Sequence, residues 1–447
     1  MVRRTFQLSL ARKRVSPPAI LAILYALFIF FGALLLLMPF SNTGGLSFSD
    51  TLFTSASAVT VTGLIVVDTG SQYTLVGQII ITVLIQLGGL GLMTFAALLL
   101  SMLGMRIGMP QRLVLSDELG QTSLSDLLAL VRIVAFVAFG VEAVGTALLM
   151  FVFVPEFGWA QGFWQALFHT ISAFNNAGFS LFSDSLTRYV DDPVVNITIT
   201  ALFILGGLGF VVLADLNERR GWKHLTLHSK LMLVGSLCLI LWAFVTFAAM
   251  EWNNPGTLGA LHGTGARLWA SWFQAVTPRT AGFNTLDYAQ MHDSTTLVTI
   301  LLMLVGGGPS STAGGIKVTT LIVLILATIA FFRRSEKLHV FGRSLGIEEI
   351  SKVLALTALS LFLVAMGLFL ILLTWRGDFL DLLFEVCSAF GTVGLSRGAT
   401  GDLDTLGRVV IVLLMFAGRL GPLTLGFFLA TRSISRINYP KGKIFLG

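Results

Sequence analysis

Four glycine-ended segments contain the residues whose types and spacing could bind an ion. Each glycine follows an aromatic residue by ten positions and precedes a large apolar residue. The segments are SAVTVTGL (57–64), SAFNNAGF (172–179), VTPRTAGF (276–283) and SAFGTVGL (388–395). Successive glycines are separated by 115, 104 and 112 residues, which is too long for a solenoid repeat, so each copy must be a substantial supersecondary unit. One unit has been repeated four times, and this predicts fourfold pseudosymmetry about an axis.

The chemistry that such segments suit is the coordination of a dehydrated monovalent cation. The cation needs a ring of oxygen ligands in place of its water, and backbone carbonyls from several repeats can supply one. Glycine best tolerates the backbone angles that turn carbonyls toward an axis. A single glycine after a helix is usually only a C-cap, but four copies at one offset favour a shared function. The candidate filter residues are Thr60, Val61, Thr62 and Gly63; Asn175, Asn176, Ala177 and Gly178; Arg279, Thr280, Ala281 and Gly282; and Gly391, Thr392, Val393 and Gly394. None of them is a carboxylate, so selectivity would come from carbonyl dipoles, aided by the negative C-terminal ends of short helices.

The composition indicates that these segments lie in a membrane. Hydrophobic residues make up 55% of the chain and charged residues 12%, which is typical of a polytopic membrane protein. Eight stretches reach the roughly 20 residues that a bilayer-spanning helix needs: 17–40, 75–103, 127–154, 194–216, 228–250, 293–332, 350–375 and 405–431.

A shorter apolar segment lies between the two spans of each pair, at 48–59, 162–174, 266–277 and 379–390. These segments are too short to cross, and we interpret them as re-entrant pore helices followed by loops that line a water-filled cavity. The prediction is an all-α polytopic membrane protein with eight transmembrane helices and four re-entrant pore helices, in a pseudo-fourfold arrangement around one pore. The repeats are 1–105, 106–217, 218–335 and 336–447, the last with the C-terminal tail, and together they form one membrane domain.

Charge gives the orientation. The amino-terminal segment, the links between repeats and the tail are rich in Lys and Arg, and all fall on one side of an eight-span arrangement. The positive-inside rule makes that side cytoplasmic, with both termini inside. The opposite side carries mostly carboxylates, so an acidic outer vestibule should concentrate cations.

The second span of repeat three should be broken. It contains Gly306, Gly307, Gly308, Pro309, Ser310, Ser311, Thr312, Ala313, Gly314 and Gly315. Glycine and proline cost about 1 and about 3 kcal/mol in a helix interior, so we predict a gating loop below the filter, a kinked helix being the alternative. Arg419 lies at the same depth of repeat four and should face the protein interior, where loop carbonyls can accept its donors. Lys317 either anchors the loop or snorkels to the surface. A phosphate loop is disfavoured because no predicted strand precedes it.

Six segments carry a resemblance to a known family: VTVTGL, FNNAGF, TPRTAGF, FGTVGL, GGGPSSTAGGIKVTT (306–320) and Gly418-Arg419. With them, the chain resembles the Trk/Ktr/HKT superfamily of potassium-uptake proteins over essentially its whole length. The similarity is greatest to the bacterial KtrB-type translocating subunit. It implies K+ bound at the filter carbonyls, sodium-dependent activity, and a homodimer in the bacterial cytoplasmic membrane. It also implies a cytosolic nucleotide-binding RCK-type ring (KtrA-type) as partner, with nucleotide only on that partner and no covalent cofactor.

Potassium uptake is therefore the predicted function, with a sodium or mixed monovalent-cation channel or symporter as the alternative. A proton-coupled transporter would carry midplane carboxylates in inverted repeats, whereas these repeats share one orientation. An enzyme would need a nucleophile or metal constellation, and the spans offer none in sequence. Neither enzymatic activity nor nucleic-acid binding is expected.

Three further polar residues fall inside apolar segments. We expect Arg279 to clamp outer-face carboxylates, because a cation beside the filter would repel the ion. For Glu142 an interhelical partner role is favoured over a transport role. His169, on a pore helix, is expected to be a hydrogen-bonded packing residue.

Overall fold

The fold is almost wholly helical in a computed structural model that describes residues 17–91, 94, 127–219, 221–334 and 338–421. The described strands form one antiparallel hairpin, Leu338–Val340 with Arg343–Leu345. It lies in the link between repeats three and four.

Each repeat begins with a long helix. These helices are Pro17–Leu37, Leu127–Phe157, Leu227–Glu251 and Ile347–Leu372. Within the described ranges, they supply the four unbroken helices that are long and apolar enough to cross a bilayer. Their outward faces carry large apolar side chains such as Phe136, which is 82% exposed. Because water would penalise such surface, lipid is its natural solvent.

A short helix of 12 to 16 residues follows in each repeat, at Phe48–Val59, Trp159–Phe174, Thr264–Val276 and Phe379–Gly391. These bounds agree with the predicted short segments to within three residues. The short helices form the most buried layer: Phe53, Phe168, Phe273 and Phe384 are at most 1% exposed.

The second helices are shorter than the sequence predicts. They are Leu75–Leu90, Pro193–Leu208, Asp293–Leu304 and Thr405–Leu420. The predicted span 194–216 is wrong as a single helix, because the chain bends by 92° at Gly209 and continues as Phe210–Glu218. Gly209 has a φ of +100°, a conformation that ends a helix. The remainder of the predicted spans 75–103 and 405–431 lies almost entirely outside the described residues.

Repeat three is interrupted as the sequence predicts. Its second helix ends at Leu304, a loop of residues 305–317 follows, and helix Val318–Phe332 resumes the span. We call residues 305–317 the repeat-three loop.

Glycines on the second helices permit very close packing on the short helices. A Cβ at Gly88, Gly206 or Gly418 would overlap the carbonyl oxygen of Val59, Phe174 or Phe390, respectively. Each of these carbonyls lies four residues before the repeated glycine. The LGGLG segments at 87–91 and 205–209, and Gly418 in repeat four, therefore allow the close helix approach that small residues are used for in membranes.

Candidate functional site

The four repeated glycines form a closed ring. A Cβ added at each would meet the carbonyl oxygen of the residue before the next glycine. Gly63 faces Ala177, Gly178 faces Ala281, Gly282 faces Val393, and Gly394 faces Thr62. The order runs through repeats one, two, three and four and returns to one. The predicted filter residues are thus brought together around a common axis, although they lie more than 100 residues apart in the chain.

The backbone of the ring is unusual in all four repeats. The residue two before each glycine has a positive φ: 49° at Val61, 57° at Asn176, 71° at Thr280 and 50° at Thr392. The glycines also have positive φ, between 68° and 90°. Asparagine tolerates this region, but β-branched residues seldom adopt it. Strain at equivalent positions persists only where the surroundings enforce it, and such strain clusters at functional sites.

Hydroxyl groups at the ends of the short helices hold the ring in place. The Gly63 and Gly394 amides donate to Ser57 Oγ at 3.0 Å and Ser388 Oγ at 3.1 Å. In the other two repeats, Ser172 Oγ donates to the Phe179 carbonyl at 2.7 Å and Thr277 Oγ1 to the Phe283 carbonyl at 2.5 Å. Sequence reasoning did not single out these hydroxyls, although the serines recur in the repeated segments.

Repeat three is one residue shorter than the others in this turn. In the other repeats, the amide before the glycine bonds the carbonyl five residues back, but Ala281 bonds Thr277, four residues back. Accordingly the buried aromatic residue of repeat three is Phe273, nine positions before Gly282. Trp272, ten positions before Gly282, is only half-buried. The common structural spacing is four residues from the buried phenylalanine to the hydroxyl residue.

A vestibule of about 490 Å³ lies on one face of the ring. All four glycines line it, and its wall includes the carboxylates Asp184 and Asp287. Acidic groups at the mouth of a narrow path raise the local concentration of cations.

The repeat-three loop is closed at its base and packed on repeat two. At the base, Gly306 N donates to Ile316 O at 2.9 Å and Val318 N to Gly307 O at 3.1 Å. Farther along, Gly308 N donates to Gly207 O at 2.8 Å, and Ser310 O accepts from Phe210 N at 2.9 Å. The loop therefore satisfies backbone groups that the break at Gly209 frees.

The repeat-three loop lies against the ring, and none of its residues lines the vestibule. The Thr312 hydroxyl donates to Asn176 Oδ1 at 3.2 Å. A Cβ at Gly306 would lie 3.2 Å from Thr280 Cγ2, and one at Gly314 would meet the Thr392 side chain. Three of the four glycine loops thus contact the repeat-three loop.

Two cations hold consecutive carbonyls of the loop. Arg419 donates to the Thr312 carbonyl, as the sequence predicts, and also to the carbonyls of Gly88 and Gly89. Lys317 Nζ donates to the Ala313 carbonyl at 2.7 Å, so this lysine anchors the loop. Within the described ranges no carboxylate forms an ion pair with either cation. Both line a cavity of about 140 Å³ next to the loop.

The expectation for Arg279 is wrong. Its guanidinium lies against Ser236 on the first helix of repeat three, 3.5 Å from the carbonyl and 3.1 Å from the hydroxyl. No outer-face carboxylate of the described segments pairs with it. The side chain is 8% exposed and points away from the ring toward the neighbouring helix, so it braces the turn from behind.

Glu142 and His169 make the contacts that the sequence analysis favours: an interhelical hydrogen bond for Glu142 and hydrogen-bonded packing for His169. Glu142 accepts from Gln86 Nε2 at 2.9 Å and from Asn175 Nδ2 at 3.3 Å. The bond to Gln86 joins repeats one and two behind the ring. His169 is bonded to the Gln165 carbonyl at 2.8 Å and stacks on Phe182 with ring centroids 4.7 Å apart.

Two arginines that sequence reasoning left unassigned tie the repeats together on the vestibule side. Arg408 of repeat four donates to Asp50 of repeat one at 2.7 Å. Burial raises the pKa of the Asp50 carboxyl, but hydrogen bonds from Ser47 and Arg408 outweigh burial and hold the pKa below its ordinary value. Arg397 bonds Asp381 at 2.5 Å and the Tyr288 carbonyl at 3.0 Å, which joins repeats three and four.

Comparison with known proteins gives consistent matches. Residues 23–436 match the family described as TrkH, cation transport protein. The chain is 49% identical to the Ktr system potassium uptake protein B of Bacillus subtilis, over 97% of both chains. It is 37% identical to the potassium/sodium uptake protein NtpJ of Enterococcus hirae, over 98% of both. Its fold is similar to the crystal structure of the potassium transporter TrkH from Vibrio parahaemolyticus, with a TM-score of 0.76 and 19% identity, covering 96% of this chain and 87% of that one.

Proposed function

Because the chain belongs to the TrkH family of cation transport proteins, we propose that it takes up potassium across the bacterial cytoplasmic membrane as the ion-translocating subunit of a Ktr-type system. The observation that carries this proposal is the closed ring of the four glycine loops between an acidic vestibule and the repeat-three loop. The near full-length similarity to a protein named for potassium uptake supports the choice of ion.

The architecture that we propose has eight spans and four re-entrant short helices in pseudo-fourfold symmetry. The cyclic contacts among Gly63, Gly178, Gly282 and Gly394 support this symmetry, since each repeat touches the next in the same way. The packing of a second-helix glycine on the short helix of repeats one, two and four supports the same unit. The vestibule then faces outward and both termini face the cytoplasm.

In this mechanism, the carboxylates Asp184 and Asp287 collect K+ in the vestibule. The ion exchanges its water for the carbonyl oxygens of residues 60–63, 175–178, 279–282 and 391–394. The ring is held rigid by the hydroxyls of the short helices, so the dipoles need little rearrangement. The repeat-three loop and Arg419 then control passage toward the cytoplasm, because the loop lies in the path and the guanidinium repels the ion.

The remaining parts of the proposal concern regulation. We propose that sodium activates uptake, and the relative named a potassium/sodium uptake protein supports this part. The "Ktr system" in the name of the Bacillus relative supports a multi-component assembly. We propose that the assembly consists of a homodimer of this chain and a cytosolic nucleotide-binding ring.

Ion flux into proteoliposomes tests the function. Purified protein in vesicles that contain a trapped fluorescent K+ indicator should admit K+ in preference to Na+, and empty vesicles should admit neither. Anomalous density for Rb+ or Tl+ at the level of the four glycines would locate the ion. Absence of K+ flux from folded, inserted protein, with and without its cytosolic partner, would reject the proposal.

A further inference from the structure

The glycine loop of repeat two carries a feature that the other three loops lack. At the position two before the glycine, it has Asn176, where the others have Val61, Thr280 and Thr392. Asn176 is 1% exposed and has a left-handed backbone, which asparagine tolerates. Its amide carries N–H donors and an acceptor oxygen on two separate atoms, so it can donate to one partner and accept from another, which a valine cannot do.

The Asn176 amide uses both capacities. Nδ2 donates to Thr280 Oγ1 at 2.9 Å, which links the glycine loops of repeats two and three. Oδ1 accepts from Thr312 Oγ1 at 3.2 Å, which links the ring to the tip of the repeat-three loop. Thr280 and Thr312 are both fully buried, so water does not replace these bonds when the loop is in place.

The backbone of Thr312 also helps to hold the repeat-three loop in place. Its amide donates to Gly206 O at 3.3 Å, and its carbonyl accepts from Arg419. Any movement of the loop away from the ring must therefore break the Thr312–Asn176 bond. Breaking it leaves a buried acceptor unsatisfied beside the ring, a state that costs free energy unless the amide turns.

We propose that Asn176 transmits the position of the repeat-three loop to the glycine loops, so that the preference for K+ over Na+ depends on whether Thr312 contacts the ring. The inference rests on the proposed function. When the loop is beneath the ring, Asn176 is held in place and fixes the carbonyls of repeats two and three at the spacing that K+ requires. When the loop leaves, the Asn176 side chain turns, the two loops relax, and discrimination falls.

Permeability ratios from reversal potentials in planar bilayers test this coupling. Thr312→Val removes the hydroxyl at nearly constant volume, and Asn176→Ala removes the amide. Each should lower the K+/Na+ permeability ratio by about two- to tenfold, as expected for the loss of one net hydrogen bond. The double variant should be no worse than Asn176→Ala alone, because Asn176→Ala already removes the amide oxygen that accepts from Thr312. Thr312→Ser keeps the hydroxyl and should restore the wild-type ratio.

A matched control is Thr299→Val, which removes a buried hydroxyl bonded only within the second helix of repeat three. It should leave the ratio at the wild-type value. The coupling is rejected if Thr312→Val conducts with the wild-type ratio, or if the effects of the two single changes multiply in the double variant. Loss of K+ conduction by the wild-type protein would instead reject the proposed function, so the two failures are distinguishable. If Asn176→Ala does not fold, Thr312→Val and Thr312→Ser decide alone.

Discussion

At the scale of single residues, the ring depends on the absence of side chains. Each repeated glycine has positive φ and faces the carbonyl of the next repeat, so both conformation and space demand glycine. The polar residues behind the ring, among them Glu142 and Arg279, brace it and do not line the vestibule.

Gly63→Ser should weaken selection of K+ over Na+ more than it weakens folding. Its Cβ would meet the Ala177 carbonyl and displace an ion ligand, so we expect roughly a tenfold fall in the K+/Na+ permeability ratio, equivalent to about 1.4 kcal/mol. Gly44→Ser is the matched control, because Gly44 also has positive φ but has nothing within 4 Å of an added Cβ. A Gly63→Ser protein with the wild-type reversal potential would show that the ring does not select the ion.

Glu142→Ala should destabilise the protein without stopping transport. It removes the acceptor of Gln86 Nε2, and an unsatisfied buried donor typically costs about 1–3 kcal/mol; Asn175 Nδ2 keeps Gln86 Oε1 and the Ile171 carbonyl as acceptors. Thermal unfolding in detergent should show a lower midpoint, a smaller decrease for Glu142→Gln, and no change for the exposed Glu348→Ala. If Glu142→Gln abolished flux in a folded protein, a transport role would replace the bracing role.

At the scale of elements, breaks in helices determine where the gate can be. The second helix of repeat two bends at Gly209, and that of repeat three opens into a loop that takes up the backbone groups freed by the bend. Arg419 similarly caps the carbonyls of Gly88 and Gly89 at the end of the second helix of repeat one. All four repeats thus meet at the repeat-three loop, repeat one through Arg419 of repeat four, and the glycines of this loop give it little intrinsic helix stability.

Deleting Ser310 to Gly314 should raise K+ flux about tenfold or more and make it less dependent on the cytosolic partner. The deletion removes the tip but keeps the base, where Gly306 and Val318 bond Ile316 and Gly307. Arg419→Ala should act in the same direction by removing a positive charge from the path. Flux into vesicles with and without the partner measures both effects.

The K+/Na+ ratio in these two variants should change less than the rate, and no more than it does in Thr312→Val, because the ring glycines are intact. Unchanged flux in a folded, inserted deletion variant would make the loop a structural kink, and the gate would then have to lie elsewhere.

At the scale of the whole molecule, the repeats are joined on the vestibule side by the Arg408–Asp50 ion pair and by the hydrogen bond from Arg397 to the Tyr288 carbonyl. On the other side, two basic links between repeats meet where Trp222 contacts Phe341, with ring centroids 6.3 Å apart. Both rings remain about half exposed. We expect this face to take part in assembly.

We expect the protein to be a homodimer in mild detergent, since twofold dimers are the commonest oligomers. The basic tail, residues 432–447, is predicted to contribute to the interface, and it lies outside the described residues. Mass measurement on the intact protein should give twice the chain mass. Truncation after residue 431 should shift the measured mass toward that of a single chain. A monomeric mass for the intact protein would contradict the prediction.

The links at 217–230 and 333–352 should dock an acidic face of the cytosolic ring. Arg333 and Arg334 are exposed directly after helix Val318–Phe332, so a partner bound there can act on the anchors of the repeat-three loop. Neutralising Arg333, Arg334 and Lys337 should reduce co-purification of the ring, whereas Arg188→Ala on the vestibule side should not. Undiminished co-purification would place the docking surface elsewhere.

The sequence by itself determined the membrane class, the four repeats, the short helices and the interrupted span of repeat three. These follow from local properties: apolar run length, glycine tolerance of positive φ, and the helix-breaking cost of glycine and proline. Only the tertiary structure decided which groups meet. The bend at Gly209 depends on the repeat-three loop, in which the Ser310 carbonyl, 100 residues along the chain, accepts from the freed Phe210 amide. The partner of Arg279 depends on how the first helix of repeat three packs. The one-residue shift in repeat three, and the contact of Asn176 with Thr312, likewise arise from packing between segments that a linear pattern cannot align.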